Sequence, residues 1–285
     1  VATIVLSLLR ALLTEAGQAM EVAAFCSAAV GTLAVVVPCL DPSWLSEPGA
    51  GPNPTELDVQ QFLRLLPVLF TGSLSFGALY NSMQFWYQQQ ACQMDLRLFD
   101  FQLSGSFFNI ADCLAIVVFT PLALLWINPC IEQWLGRKIG TGFKFGLGML
   151  VAGASVMIAA RLEMERRDSP VLALTSNCAP PGIGMSDIQG SWMAVPFFLM
   201  GIGEIYSQPT LLHYAYASSP ASMRTLAMAA SLFISGVSSA LFALVVAALS
   251  PYIPNDLNGG HLEYGYYVNI AIGIVFYAAF VLVLK

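Results

Sequence analysis

The sequence predicts an all-α fold, a polytopic membrane helical bundle, on three observations. Of its 285 residues, 57% are hydrophobic and only 10% are charged, so the charged share is less than half of what soluble domains carry. The mean hydropathy is +0.72. Several uncharged stretches also reach the roughly 20 apolar residues that a helix needs to cross a bilayer. A soluble globular protein is thereby excluded. Eleven Lys+Arg against seventeen Asp+Glu give a net charge of -6, and no basic cluster exists that could neutralise phosphates, so nucleic acid is not an expected partner.

The elements follow in order. Residues 1–20 set Ile4, Leu8 and Leu12 with Leu9 and Leu13 on one side of a helix, and Arg10, Thr14 and Gln18 tend to the other; this pattern predicts an interfacial or packed amphipathic helix. Residues 22–40 are Ala-rich and end near Pro38, which leaves them a possible extra span. Residues 41–58 hold four prolines, two glycines and four acids, the composition of an irregular linker. Residues 1–61 thus form a first, cytoplasmic-side region.

Residues 62–285 form the second, with six predicted spans at 62–86, 106–127, 143–161, 192–213, 225–249 and 266–284. The first of these crowds Tyr80, Asn81, Ser82 and Gln84 into its second half, which suits a helix with one face on a cavity. Residues 162–191 begin with a charged run from Glu163 to Asp168 and pass through Pro180 and Pro181, predicting an exposed loop. With six spans, the loops at 128–142 and 214–224 and both termini share the side richer in Lys and Arg, so the positive-inside rule makes that side cytoplasmic or equivalent. The six cysteines, Cys26, Cys39, Cys92, Cys113, Cys130 and Cys178, are scattered without a C-x-x-C pair and read as small apolar packing residues. The chain starts at Val1 and stops at Lys285 directly after an apolar run, as a fragment or processed piece would.

Once the loop charges are assigned, two carboxylates remain inside spans, Asp112 and Glu204. A carboxylate near mid-membrane costs roughly 2.5–3.5 kcal/mol on insertion scales, so it is retained where it faces protein, water or a ligand. Glu204 stands in M-G-I-G-E-I-Y-S-Q-P, where Gly201 and Gly203 permit close approach and Pro209 removes a backbone hydrogen bond. It can bind a substrate ammonium or take part in proton coupling; the competing reading is a structural carboxyl bonded to a neighbouring helix. Asp112 lies about two turns into its helix, and the structural reading is preferred for it. His213 and His261 lack metal-ligand company. No Ser/His/Asp order, H-E-x-x-H or phosphate-cradling glycine loop is present, so neither an enzyme, a metal nor a cofactor is expected.

At Glu204 the sequence also resembles a known family. Gly201 to Met223, GIGEIYSQPTLLHYAYASSPASM, is similar to the tenth helix and following loop of the proton-dependent oligopeptide transporters, which include the plant nitrate and peptide transporters. QACQMD from Gln90 to Asp95, Phe108-Asn109 with Pro121 and Pro129, and DLNGGHLEY from Asp256 to Tyr264 agree in order and spacing. The resemblance implies that residues 62–285 are the C-terminal six-helix half of a major-facilitator transporter, and that 1–61 is the linker joining the halves. It implies roles in substrate or proton binding for Glu204, Asn109 and Tyr80, with Ser82 and Gln208 at positions where the family often has other polar residues. The implied partners are protons, a small-molecule substrate, the lipid bilayer, and a second six-helix bundle or other membrane subunits.

Two departures qualify this. Ala123-Leu124-Leu125 replaces a charged Y-D-R loop, and the family's E-x-x-E-R proton-coupling motif belongs to the other half; the run from Glu163 to Arg166 is one residue too short to replace it. Two functions follow as expectations: one half of a proton-coupled symporter of peptides, nitrate or a related small nitrogenous solute, or a degenerate half-transporter retained as a structural subunit of a larger membrane complex.

Overall fold

Thr55 opens the bundle with a capping box: its hydroxyl accepts from the Asp58 backbone N–H at 3.3 Å, while the Asp58 carboxylate accepts from the Thr55 N–H at 2.9 Å. This reciprocal cap starts the first helix at Glu56, six residues before the predicted span and inside the predicted linker, because the acids at 56 and 58 serve as first-turn residues. The computed structural model describes residues 55–98 and 101–284. The amphipathic helix at 1–20, the possible span at 22–40, Cys26, Cys39 and most of the linker lie outside the described residues.

Six long helices follow: α1 (Glu56–Cys92), α2 (Gly105–Leu135), α3 (Thr141–Asp168), α4 (Ala194–Ser218), α5 (Arg224–Leu249) and α6 (Leu262–Leu284). All except α4 are long and apolar enough to cross a membrane; Glu204, Ser207 and Gln208 dilute the middle of α4. Two helices carry a π-turn, at Ser82–Tyr87 in α1 and at Ala123–Ile127 in α2, a local widening often found at functional sites. The second takes up the Ala123-Leu124-Leu125 departure without breaking α2, which ends at Gly136 in the left-handed region, φ 64°.

The central element is α4. It packs most extensively on α3 and next on α2, and it also touches α1 and α5, while α6 lies along α1. Glycines set these distances from opposite faces of α4. A Cβ on Gly201 would stand 2.7 Å from the Asp112 carbonyl oxygen of α2, and one on Gly203 would stand 3.0 Å from the Gly148 carbonyl oxygen of α3. The core between the helices is aromatic, with Tyr87 edge-on to Phe197 at 5.2 Å and to Tyr266 at 5.8 Å. The hydroxyls of these two tyrosines are paired as burial requires: Tyr87 shares a hydrogen bond with Ser155 at 2.9 Å, and Tyr266 donates to Gln90 Oε1 at 2.7 Å.

One end of the bundle, where α1 meets α2, α3 meets α4 and α5 meets α6, carries a cap the sequence did not announce. The charged run read as loop is the last part of α3. Glu163 and Arg166 are fully buried there, joined by two hydrogen bonds of 2.8 Å each, and Arg166 also donates to Asn258 at 2.7 Å and Ser186 at 3.1 Å. The remainder is partly strand: β1 (Met94–Asp95) lies parallel to β5 (Gly184–Gln189), which pairs antiparallel with β4 (Val171–Thr175), and β2 (Arg97–Leu98) pairs with β3 (Phe101–Gln102). Beside them, hydrogen bonds from the Arg97 side chain hold the Asp95 carboxyl below its ordinary range.

The same cap corrects the reading of the cysteines. Cys92 and Cys178 are joined as a disulfide, 86 residues apart in sequence and 5.4 Å between Cα atoms, because the β1–β5 pairing brings the two connections together. Cys113 and Cys130 are free and exposed. A disulfide belongs to an oxidising compartment, which agrees with the charge-based assignment of this end to the non-cytoplasmic side.

Candidate functional site

The middle of α4 presents its acid to a cavity. Glu204 lines a space of about 580 Å³ between α2, α3 and α4, with Thr120, Asn128, Lys144, Gln208 and His213. Its Oε2 is buried and has no hydrogen-bond partner among the described residues. The continuous helix carries Glu204 past Pro209 without a break, so the proline's missing N–H falls just beyond the acid.

A second cavity, of about 410 Å³, opens between α1, α4 and α5. Tyr80, Asn81, Gln84 and Gln208 line it together with Ser231, Ser235, Ser238 and Ser239. Gln208, one turn beyond Glu204, therefore belongs to the walls of both cavities. Tyr80 packs on Phe76 at 5.6 Å between ring centres and turns its hydroxyl toward the two acids, within range of the charges of both Glu204 and Asp112.

Three of the five residues singled out in the sequence, Tyr80, Glu204 and Gln208, are brought together. Asn109 lines neither cavity; it stands at the start of the α-helical part of α2, one turn before Asp112 on the same side. Ser82 is fully buried in the contact between α1 and α6, where Asn269 Nδ2 donates to its Oγ at 2.7 Å.

Two further features border the site. Asp112, taken as a structural carboxyl, is only 6% exposed and its Oδ1 has no partner among the described residues, next to Gly201 of α4. Its spacing of three from Asn109 was the available signal. The hydroxyl stripe of α5 was legible too, since serines at 231, 235 and 238 recur with the helical period; Ser239 donates to Asn81 Oδ1 at 3.2 Å and so links α5 to α1. Among the described residues, no three His, Cys, Asp or Glu side chains gather as metal ligands would.

Chemically, the arrangement sets one cavity-lining carboxyl, Glu204, among hydrogen-bonding walls, with the buried Asp112 behind it at Gly201. Such a site accepts hydrogen bonds from an ammonium group or takes up a proton. Lys144 and His213 supply the opposite charge or donors at the same cavity.

Comparison with known proteins gives a consistent result. Residues 55–261 match the POT family. The chain is 24% identical over 248 residues to Protein NRT1/ PTR FAMILY 8.5 of Arabidopsis thaliana, which covers 81% of this chain and 40% of that protein. It is 26% identical over 226 residues to Protein NRT1/ PTR FAMILY 2.9 of the same plant, covering 74% and 38%. Among solved structures it is similar to an auto-inhibited POT family peptide transporter, with a TM-score of 0.65 and 18% identity over 80% of this chain and 41% of that one. It is also similar to the POT family transporter PepTSo, at 0.58 and 21% over 82% and 43%. The chain spans about two fifths of the length of these relatives.

Proposed function

The chain belongs to the POT family, and from that premise we propose that it forms the C-terminal six-helix half of a proton-coupled symporter of oligopeptides, nitrate or a related small nitrogenous solute. The family is one of multi-pass membrane transporters and not of enzymes. The observation that carries the proposal is the Glu204 carboxylate, with a buried oxygen that has no partner among the described residues, in the wall of a cavity that also holds Lys144 and His213.

In this reading Glu204 binds the substrate ammonium or holds the coupled proton, Tyr80 and Gln208 orient the substrate, and the serine stripe hydrogen-bonds its polar atoms. A second bundle completes the cavity, since alternating access requires two bundles that move against each other. The test is proton-driven uptake by the whole transporter carrying Glu204→Gln. Uptake is expected to be lost while the variant folds and inserts; normal uptake overturns the assignment.

A second reading, a half-transporter retained as a structural subunit of a larger membrane complex, draws support from one place. On the π-turn of α2, where the sequence has lost the Y-D-R charges, Leu124, Leu125 and Trp126 are 63%, 71% and 72% exposed. If other subunits cover them, the protein co-purifies with those subunits in fixed ratio from its native membrane. Migration alone in mild detergent overturns this reading.

A further inference from the structure

Asp112 takes no part in the reading above, yet its surroundings are unusual for a structural carboxyl. It is 6% exposed with Oδ1 unpartnered. It stands in the first turn of the α-helical part of α2, yet its Oδ1 takes no capping hydrogen bond there. It is pressed against α4 at Gly201, where any side chain would collide: a Cβ there would stand 2.8 Å from Asp112 Oδ1. Glu204 follows Gly201 by three residues, on the same helix face at about 5–6 Å, and its own Oε2 is buried and unpartnered. Glu204 lies within range of the Asp112 charge.

The groups around this pair are few. From α1 comes the Tyr80 hydroxyl. From α3 comes Lys144, the one lysine or arginine among the described residues that lines either cavity. On α4 itself are His213, further along the cavity, and Tyr206, whose hydroxyl has no partner among the described residues. From α5 come serines; Arg224, at its start, is engaged with the Tyr216 ring at 4.6 Å.

We infer that Asp112 and Glu204 form a carboxyl pair that shares one proton across the contact between α2 and α4, a proton-binding site held within this half of the bundle. Two carboxylates in one low-dielectric site do not both ionise at ordinary cost. A proton on either one supplies the donor that Asp112 Oδ1 and Glu204 Oε2 lack. The proton enters from the cavity beside Glu204, resides as an O–H on one carboxyl bonded to the other, and leaves to cavity water by the same route. No other bond is made or broken. The role of this site in symport rests on the function proposed above; its existence does not.

The test follows the carboxyl C=O band of the purified protein in lipid nanodiscs by infrared spectroscopy during a pH titration, for the parent, Asp112→Asn and Glu204→Gln. A sharing pair titrates in two separated steps, and removal of either partner abolishes the upper one. The surviving step is then expected about one pH unit or more below the parent's upper step, a tenfold or greater change in proton affinity. Independent sites would lose the upper step in one variant and the lower step in the other, which overturns the pair. Should Asp112→Asn fail to fold, isotope-labelled aspartate in the parent and in Glu204→Gln carries the test: an aspartate titration that does not move overturns the pair. Uptake is read separately. Loss of uptake in Glu204→Gln with uncoupled titrations removes the pair and leaves symport standing, whereas normal uptake with coupled titrations does the reverse.

Discussion

Gly148 of α3 and Gly203 of α4 meet backbone to backbone, such that a Cβ on Gly148 would lie 2.8 Å from the Gly203 carbonyl oxygen and would overlap the Ser207 hydroxyl. This contact fixes the helix that carries Glu204 against its main neighbour. Gly148→Ala is therefore expected to destabilise the bundle by about 1–3 kcal/mol, the usual cost of overpacking. Gly153→Ala, on the same helix but with nothing within 4 Å of its Cβ, should be neutral or stabilising by up to ~1 kcal/mol. Thermal unfolding in detergent distinguishes them; equal midpoints would contradict the contact.

The buried pair of Glu163 and Arg166 makes a second, sharper prediction. Both side chains are 0% exposed, so Arg166→Met leaves a carboxylate without its partner in the interior, at an expected cost of about 3–5 kcal/mol. Arg166 also holds Asn258 and Ser186, so limited proteolysis should open first within 169–193. The double variant Glu163→Gln/Arg166→Met removes the stranded charge and is expected to recover part of the loss. A double variant less stable than Arg166→Met alone would contradict this account.

The helices of this bundle were legible because apolar length is itself the signal for a span. All six segments predicted as spans are helical, five of them within helices long and apolar enough to cross a membrane, and Glu204 stood out because a mid-helix acid is costly. What was not legible depended on contacts between distant segments. Residues 163–168 look like a solvated loop, since nothing local reveals that Ser186 and Asn258 converge on Arg166. Cys92 and Cys178 look unrelated for the same reason: the strand pairing that joins them is only two to six residues long. Asp112 was read from its distance to the helix start, whereas its environment is set by Gly201 on another helix.

The disulfide offers a prediction that also tests the orientation. In intact protein without reductant, Cys130, beyond the predicted span, should react with a maleimide and Cys92 and Cys178 should not, as peptide mapping by mass spectrometry would show. The bond closes a separation of 86 residues, for which chain-entropy arguments give roughly 4.6 kcal/mol. Cys92→Ser/Cys178→Ser should accordingly unfold at a lower temperature than the oxidised parent, and a reductant should lower the parent's midpoint but not the variant's. Labelling of Cys92 without reduction would place this end of the bundle in a reducing compartment and reverse the orientation.

Ser82 and Tyr80 are two residues apart in α1, about 200° around the helix axis, and so face opposite sides. Tyr80 lines the cavity of about 410 Å³, whereas Ser82 accepts a 2.7 Å hydrogen bond from Asn269 inside the contact with α6. Ser82→Ala leaves that buried amide donor without its acceptor, which costs about 1–3 kcal/mol. The variant is thus expected to lose thermal stability while its KM for uptake stays unchanged. Tyr80→Phe keeps the ring packing on Phe76 and removes only the hydroxyl facing the acids, so it should alter uptake with little effect on the midpoint. Measuring both quantities for both variants decides the matter: a changed KM with an unmoved midpoint in Ser82→Ala would return Ser82 to the binding site.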